Sequence, residues 1–580
     1  MYQIESVMRK TKILLTFIAA TALLAGCINT QLPEDYAVEP EPLEVHGNTV
    51  DVKVSGTIPE KSFHKKAVVK FTPVLRYDNQ EKQLEPMTLK GEKVEGVDGK
   101  VINSKEGGKI EYNDSFEWDP DMKVSELYVT AEVTKNDNTE TFPDYKVADG
   151  VIMTSKRVAK SGDMSIAKHG YEKETIVKES GNIYYAYNRS NLNWNLDLNE
   201  NNKEEMKQLK SFMSRGWELQ KINIDAWASP EGELSLNEEL SQERAKVAKD
   251  YIVDWYEDKS GDEDNNISYE EVEDEINFNV EAKGEDYDGF MKALQASDIK
   301  EKNTIANVIK SQATKREREQ RIKDMTVIYK EIEEMLEVLR RAEITVFAYE
   351  PKRTDEEIAE LATTHPDSLS KKEILYAATL TDNMKAKHKI YQNAVDVYSD
   401  SWKAHNNLAA ILLEMGKEDK AAEHLERANT LEPNNGHIAN NMGVLAAWKK
   451  DYKSAADYYS TAKEQGVNTS YNTATLKIIN GNYSAAISAY ENVKCEYNKA
   501  LALLMNGQTN EATQVLDCAD ETAKKHYLMA IIGARTDNDN MLYTNLKKAI
   551  NMDESYKEEA SFDREFVDYF DKADFKEIVK

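Results

Sequence analysis

The chain has 580 residues, 40% hydrophobic and 9% aromatic, enough for about three or four domains at roughly 150 residues each. Lys plus Arg number 75 and Asp plus Glu 104, so the net charge is 75 − 104 = −29; a surface this acidic repels phosphate backbones and argues against nucleic acid as a partner. Three cysteines exclude a disulfide scaffold or a cysteine-rich zinc module, and a mean hydropathy of −0.67 argues against a polytopic membrane protein.

The N-terminus opens with a cationic stretch, Met8-Arg9-Lys10-Thr11-Lys12, followed by an apolar run from Ile13 to Leu24. At about twelve residues the run suits a signal-peptide core and is too short to span a bilayer. It ends in Leu24-Ala25-Gly26-Cys27, which resembles the lipobox of bacterial lipoproteins. That resemblance implies cleavage before Cys27, lipidation of its thiol and a membrane anchor, each buried CH₂ contributing about 0.8 kcal/mol. The alternative is an ordinary secretory signal with an incidental cysteine. Residues 1–26 are thus expected to be a signal peptide. Residues 27–44, with Pro33, Pro40 and Pro42, read as an extended tether.

From Val45 to about Ser155 the pattern has period two, and the domain it implies is placed at 45–178. Val50, Val52 and Val54 alternate with polar residues, as do Leu127, Val129, Ala131 and Val133. Glycine-containing turns separate the runs, which predicts an antiparallel β-sandwich serving as a spacer or interaction domain. Residues 179–351 read as alternating strands and helices. Strands are expected at Ile183–Tyr187, around Ile222 and Ile224, at Ile276–Val280 and at Ile344–Tyr349. Helices are expected at Lys203–Arg215, Leu236–Trp255 and, as one long element, Thr304–Leu339. Residues 352–367 read as a linker.

From 368 to 580 the chain is helical and repetitive. Ala409, Ala421 and Ala428 recur at matching offsets as Gly443, Ala455 and Ala462. The period of about 34 residues is that of a tetratricopeptide repeat, whose small residues let paired helices approach closely. An imperfect copy precedes them at Ser368–Tyr398, the third copy is short, and Ser561–Lys580 is expected to cap the array. The fold class is therefore multidomain: an N-terminal antiparallel β-sandwich, a central α/β domain and a C-terminal all-α solenoid. Asn407, Asn441, Asn472 and Asn498 occupy one place in successive first helices. On the inner face such a ladder can hydrogen-bond the backbone of an extended peptide, with His437 and Trp448 adding preference. The alternative is that each asparagine bonds the neighbouring repeat and stiffens the array.

Ile222 to Gly232, followed by Asn237-Glu238-Glu239-Leu240-Ser241-Gln242-Glu243-Arg244-Ala245, resembles the OmpA-like domain, whose pattern is a strand, a glycine-containing loop and N-x-x-L-S-x-x-R-A opening a helix. The resemblance covers roughly Ile183 to Tyr349. It implies binding of the peptidoglycan stem peptide, an aspartate gripping the ammonium of diaminopimelate and the motif arginine its carboxylate. Arg244 stands at the arginine position, where a bidentate contact contributes about 1.5–3 kcal/mol. Ser229 stands at the aspartate position, and Glu231 is the candidate replacement carboxylate. Otherwise Arg244 pairs with Glu238 on its helix surface, and Asn237 shapes the loop or caps the helix. Leu240 and Ala245 are core residues on either reading.

Asp262-Glu263-Asp264-Asn265-Asn266 with Glu273 has the oxygen spacing of an EF-hand loop, but Ile267 stands where the turn needs glycine, so a solvated acidic loop is expected. The nine histidines show no metal spacing; His405, His424 and His437 read as packed repeat residues. No nucleophile elbow, P-loop or dinucleotide fingerprint is present. No enzyme, cofactor or metal is expected. Cys495 and Cys518 read as two independent thiols, pairing outside the cytoplasm being the alternative.

Two functions follow. The first is a lipid-anchored protein of the outer membrane, facing the periplasm, which holds peptidoglycan through its central domain and recruits an envelope protein through its repeats. The second is a pure assembly scaffold whose central domain has lost its wall ligand.

Overall fold

A computed structural model of the chain describes residues 30–260 and 272–580. The lipidation expected at Cys27 and the acidic loop at 262–266 lie outside them. The chain divides into two compact units. One is the N-terminal portion up to Lys168 together with Tyr398–Lys580; the other is His169–Val397.

The first unit begins with two sheets. In one, Thr49–Ile58 pairs with Tyr36–Glu39, Leu43–His46 and Gly108–Glu117. In the other, Ala67–Tyr77 pairs with Ser125–Lys135, Met87–Gly91 and Gln80–Gln83. The alternation seen in sequence places Val50, Val52 and Val54 in one core with Val69, Phe71, Leu127, Val129, Ala131 and Val133. Most pairings are antiparallel; Val151–Ile152 on Leu43–His46 and Lys100–Ile102 on Met87–Gly91 are parallel. Among the described residues the expected tether packs on the sandwich: the Gln31 N–H donates to the Ser62 carbonyl and Leu32 packs against the core. Tyr36–Glu39 and Leu43–His46 are strands, because Val38 and Leu43 have core to enter.

The sandwich ends at Ile152 and a short 3-10 turn, Thr154–Lys156. Residues 157–168 then run without regular secondary structure. They lie outside the sandwich, which is therefore shorter than the expected 45–178. They form a strap against the helices that follow.

Those helices are antiparallel pairs: Trp402–Glu414 with Glu418–Leu431, Gly436–Trp448 with Tyr452–Glu464, Ser470–Ile479 with Tyr483–Ala489, Tyr497–Met505 with Thr509–Cys518, and Ala523–Arg535 with Asp539–Met552. Ala409, Ala421, Ala428, Ala455 and Ala462 are fully buried where the helices meet. At Gly443 an added Cβ would lie 2.5 Å from the Tyr459 ring. The third pair is short, at 10 and 7 residues. The first helix ends at Gly416, φ 70°; the Lys417 N–H closes back on the Leu412 carbonyl, a turn that glycine adopts without steric cost. Cys495 and Cys518 form a disulfide, which corrects the expectation of independent thiols. The turn before Tyr497 folds back on the end of Thr509–Cys518, and only that packing brings the two sulfurs together.

The second unit holds a four-stranded sheet in the order Ile176–Tyr184, Arg341–Tyr349, Leu219–Ala228, Phe278–Glu285. Only the last pair is parallel. Helices Lys203–Met213 and Leu234–Lys259 bring Leu209, Phe212, Ala248 and Ile252 into one core with Ile222, Ile224, Ile344 and Val346. The single helix expected at Thr304–Leu339 is three: Lys302–Lys310, Lys315–Ile328 and Lys330–Glu337. A capping box between Thr314 and Glu317 starts the second, satisfying N–H groups that a continuous helix would have satisfied internally. With Tyr287–Ala296 they enclose a second core around Phe290, Leu294, Ile309, Ile322, Ile332 and Leu336. The expected linker contains a helix, Asp355–Thr364, opened by a capping box from Thr354. The first expected repeat, with Lys371–Ala377 and Met384–Val397 as its helices, belongs to this unit rather than to the array after Tyr398.

Candidate functional sites

The loop after Leu219–Ala228 gathers the residues singled out in the motif, and most of their polar groups are satisfied internally. Ser229, Glu231 and Arg340 are each more than nine-tenths buried. The Ser229 hydroxyl donates to Glu231 Oε1 at 2.7 Å. Arg340 donates to the same Glu231 oxygen at 3.0 Å and to Ser229 Oγ at 3.2 Å. Asn237 donates to the Ser229 carbonyl at 3.1 Å and to Glu285 Oε1 at 2.9 Å. Gly232 is needed beside it, since a Cβ there would lie 2.9 Å from Asn237 Oδ1. Asn237 thus shapes the loop from within the helix rather than capping its end.

Arg244 is 1% exposed. It donates to the carbonyls of Trp227 at 2.9 Å, Arg189 at 3.0 Å and Ala186 at 3.5 Å, and lies over the Tyr185 ring. Burial pushes its guanidinium down to about 10. The surface pair with Glu238 is not formed; Arg244 binds backbone, holding the 186–189 segment against the sheet. Sequence reasoning missed Arg340, the partner of Glu231. It lies 109 residues further on, between a helix and a strand, with no local signal.

A cavity of 690 Å³ opens beside this loop, at the carboxyl ends of Leu219–Ala228 and Phe278–Glu285. Its walls include Trp227, Glu238, Glu285, Tyr287, Arg318 and Glu319, but none of Ser229, Glu231, Asn237 or Arg244. Glu319 is 7% exposed. Burial raises its carboxyl, and the neighbouring Glu285 and Glu233 raise it further. Glu319 Oε1 and the Tyr287 hydroxyl are buried without a hydrogen-bond partner among the described residues. Among those residues no trio of His, Cys, Asp or Glu is arranged to hold a metal ion.

The asparagine ladder lies in the first unit, and its occupant is the chain's own strap. Asn498 accepts from the Ala159 N–H and donates to its carbonyl, at 2.8 and 3.0 Å. Asn472 does the same with Asp163, at 2.8 and 2.9 Å. Asn441 does so with Ser165, at 2.7 and 2.9 Å, and Asn407 with Ala167, at 2.8 and 3.0 Å. The strap therefore runs against the direction of the repeats. All four asparagines are at most 3% exposed. Asn406 and Asn440, overlooked in the sequence, add donors to the Ser165 and Asp163 carbonyls. They also accept from Asn441 and Asn472 of the next repeat, so the ladder links repeats as well as holding a peptide. Trp448 donates to the Ser161 carbonyl and His437 is hydrogen-bonded to Ser165 Oγ. At Gly162 a Cβ would lie 2.6 Å from Val444. Upstream, Arg157 pairs with Glu559 at 2.7 Å and Asp563 at 2.6 Å.

Comparison with known proteins bears on the helical array. The family model for the tetratricopeptide repeat matches residues 402–435, the first pair after Tyr398. Among solved structures, a tetratricopeptide repeat protein from Parabacteroides merdae is similar at 16% identity, covering 36% of this chain and 90% of its own, with a TM-score of 0.28. Pseudomonas aeruginosa pilF is similar at 14% identity, covering 39% and 98%, with a TM-score of 0.25. The Cut9-Hcn1 hetero-tetramer of APC/C is similar at 11% identity, covering 57% and 76%, with a TM-score of 0.31. No curated protein matches the sequence. The chain is multidomain, β-rich at its N-terminus, with C-terminal tetratricopeptide repeats of a kind that suggests protein–protein interaction.

Proposed function

We propose that the protein is a lipid-anchored, non-enzymatic component of the cell envelope, on the periplasmic face of the outer membrane. In this reading Cys27 carries the anchor, the His169–Val397 unit is OmpA-like and associates with peptidoglycan, and the repeats dock a protein partner. The observation that carries the wall contact is the cavity beside the N-x-x-L-S-x-x-R-A helix, at the carboxyl ends of two parallel strands. In open α/β sheets, ligands bind outside the carboxyl ends of strands. The strap favours a partner site away from the inner groove, because the asparagines there are already engaged.

A second reading, a protein scaffold without wall affinity, draws on Arg244, whose guanidinium is committed to backbone carbonyls. Co-sedimentation of the chain lacking residues 1–27 with purified diaminopimelate-type peptidoglycan separates the two. Saturable binding is expected; its absence would leave the scaffold reading alone.

A further inference from the structure

We propose that the 690 Å³ cavity binds a primary ammonium group between Glu319 and Glu285, on a ligand whose carboxylate is met by Arg318. The proposal deepens the wall reading and rests on it for the source of the ligand. It places recognition on residues outside the sequence motif.

Glu319 carries the argument. Its side chain is more than nine-tenths buried, lines the cavity, and leaves Oε1 without a partner among the described residues. A buried carboxylate oxygen with nothing to accept from is costly. The Tyr287 hydroxyl on the same cavity is also buried and unpartnered. Glu285 lines the same cavity, and its negative charge raises the Glu319 carboxyl beyond what burial does, so the two acids are like charges held close together. An alkylammonium has three donors and no acceptor. Its positive charge offsets the repulsion between the two carboxylates, and its donors suit the unpartnered Glu319 Oε1 and Tyr287 hydroxyl. Asn237 donates to Glu285 Oε1 and so fixes one wall of the site from the motif helix.

Arg318 precedes Glu319 on its helix, lies over the Tyr287 ring at 4.8 Å, and makes no ion pair among the described residues. Its guanidinium is suited to hold a carboxylate in bidentate fashion. The volume suits a small ligand or the end of a peptide.

Isothermal titration of the chain lacking residues 1–27 with 6-aminohexanoate, hexanoate and hexylamine tests the site. 6-Aminohexanoate is expected to bind at least tenfold tighter than hexanoate, with hexylamine between them. Glu319→Gln is expected to weaken it at least tenfold, Tyr287→Phe severalfold, and Glu331→Gln, exposed on another helix, not at all. Thermal melts report whether each variant is folded. Equal binding of 6-aminohexanoate and hexanoate overturns the proposal. So does unchanged binding by Glu319→Gln; should that variant fail to fold, unchanged binding by Tyr287→Phe does so. If 6-aminohexanoate binds as expected but peptidoglycan does not co-sediment, the site stands and the wall reading falls. If peptidoglycan co-sediments equally with wild type and Glu319→Gln, the wall reading stands and the site falls.

Discussion

Arg244 illustrates how a residue's type can be read from sequence while its partners cannot. Its place in the motif was plain, but its guanidinium meets three carbonyls that come from Ala186, Arg189 and Trp227. Replacing it by Met would strand those carbonyls away from water, at about 1–3 kcal/mol for each buried group left unpaired. Arg244→Met is therefore expected to cost about 3 kcal/mol or more in urea unfolding of the His169–Val397 unit. Glu44 gives a pH-dependent counterpart. Burial alone would raise its carboxyl, but the hydrogen bond from His46 and the Arg535 guanidinium outweigh that and lower it from its ordinary 4.5 to about 2. A lowered carboxylate stabilises the fold above its unfolded pKa and loses that contribution as pH falls through the folded one. Stability worth on the order of 3 kcal/mol should then disappear between pH 4.5 and about 2. Glu44→Gln is expected to flatten thermal stability across that window; an unchanged slope would refute the assignment.

At the scale of elements, the repeats were legible because helix pairing demands small residues at fixed offsets, and Ala409, Gly443 and Ala455 meet that demand within one period. The strap was not legible. Residues 157–168 carry no hydrophobic periodicity, and their order comes from side chains hundreds of positions away, as in the 309-residue separation of Asp163 and Asn472. Asn441→Ala with Asn472→Ala is expected to leave the helices folded but to open the strap, seen as faster proteolysis near Ser161. The Cys495–Cys518 disulfide spans 23 positions, and closing such a loop contributes about 3 kcal/mol on a chain-entropy account. Cys495→Ser with Cys518→Ser should lower the urea midpoint of the helical array, whereas the same pair under reducing conditions should match the reduced wild type.

At the scale of the molecule, one unit is built from two stretches of chain with the other unit inserted in sequence between them. The β-sandwich and the array after Tyr398 are joined by polar contacts, the buried one of Thr154 with Glu565 and the part-buried ones of Arg535 with Glu44 and Glu565. An isolated Tyr398–Lys580 fragment would lose the sandwich contacts and leave its asparagines facing solvent. It is expected to melt well below the full chain. A synthetic peptide spanning 154–168 should raise its melting temperature in a concentration-dependent way, and a peptide with Gly162→Val should not.

Periodicity along the chain determined the β-sandwich, the helical repeats and the strand–loop–helix motif, because apolar spacing is a local property that each element needs in order to bury one face. Tertiary structure alone decided what those elements hold. It gave Glu231 to Arg340, Arg244 to backbone carbonyls, the asparagine ladder to the chain's own strap, and an unpartnered Glu319 oxygen to the cavity. Each depends on groups distant in sequence meeting in three dimensions. A buried polar group takes whatever donor or acceptor the packing brings within reach, and that choice leaves no pattern in the neighbouring residues.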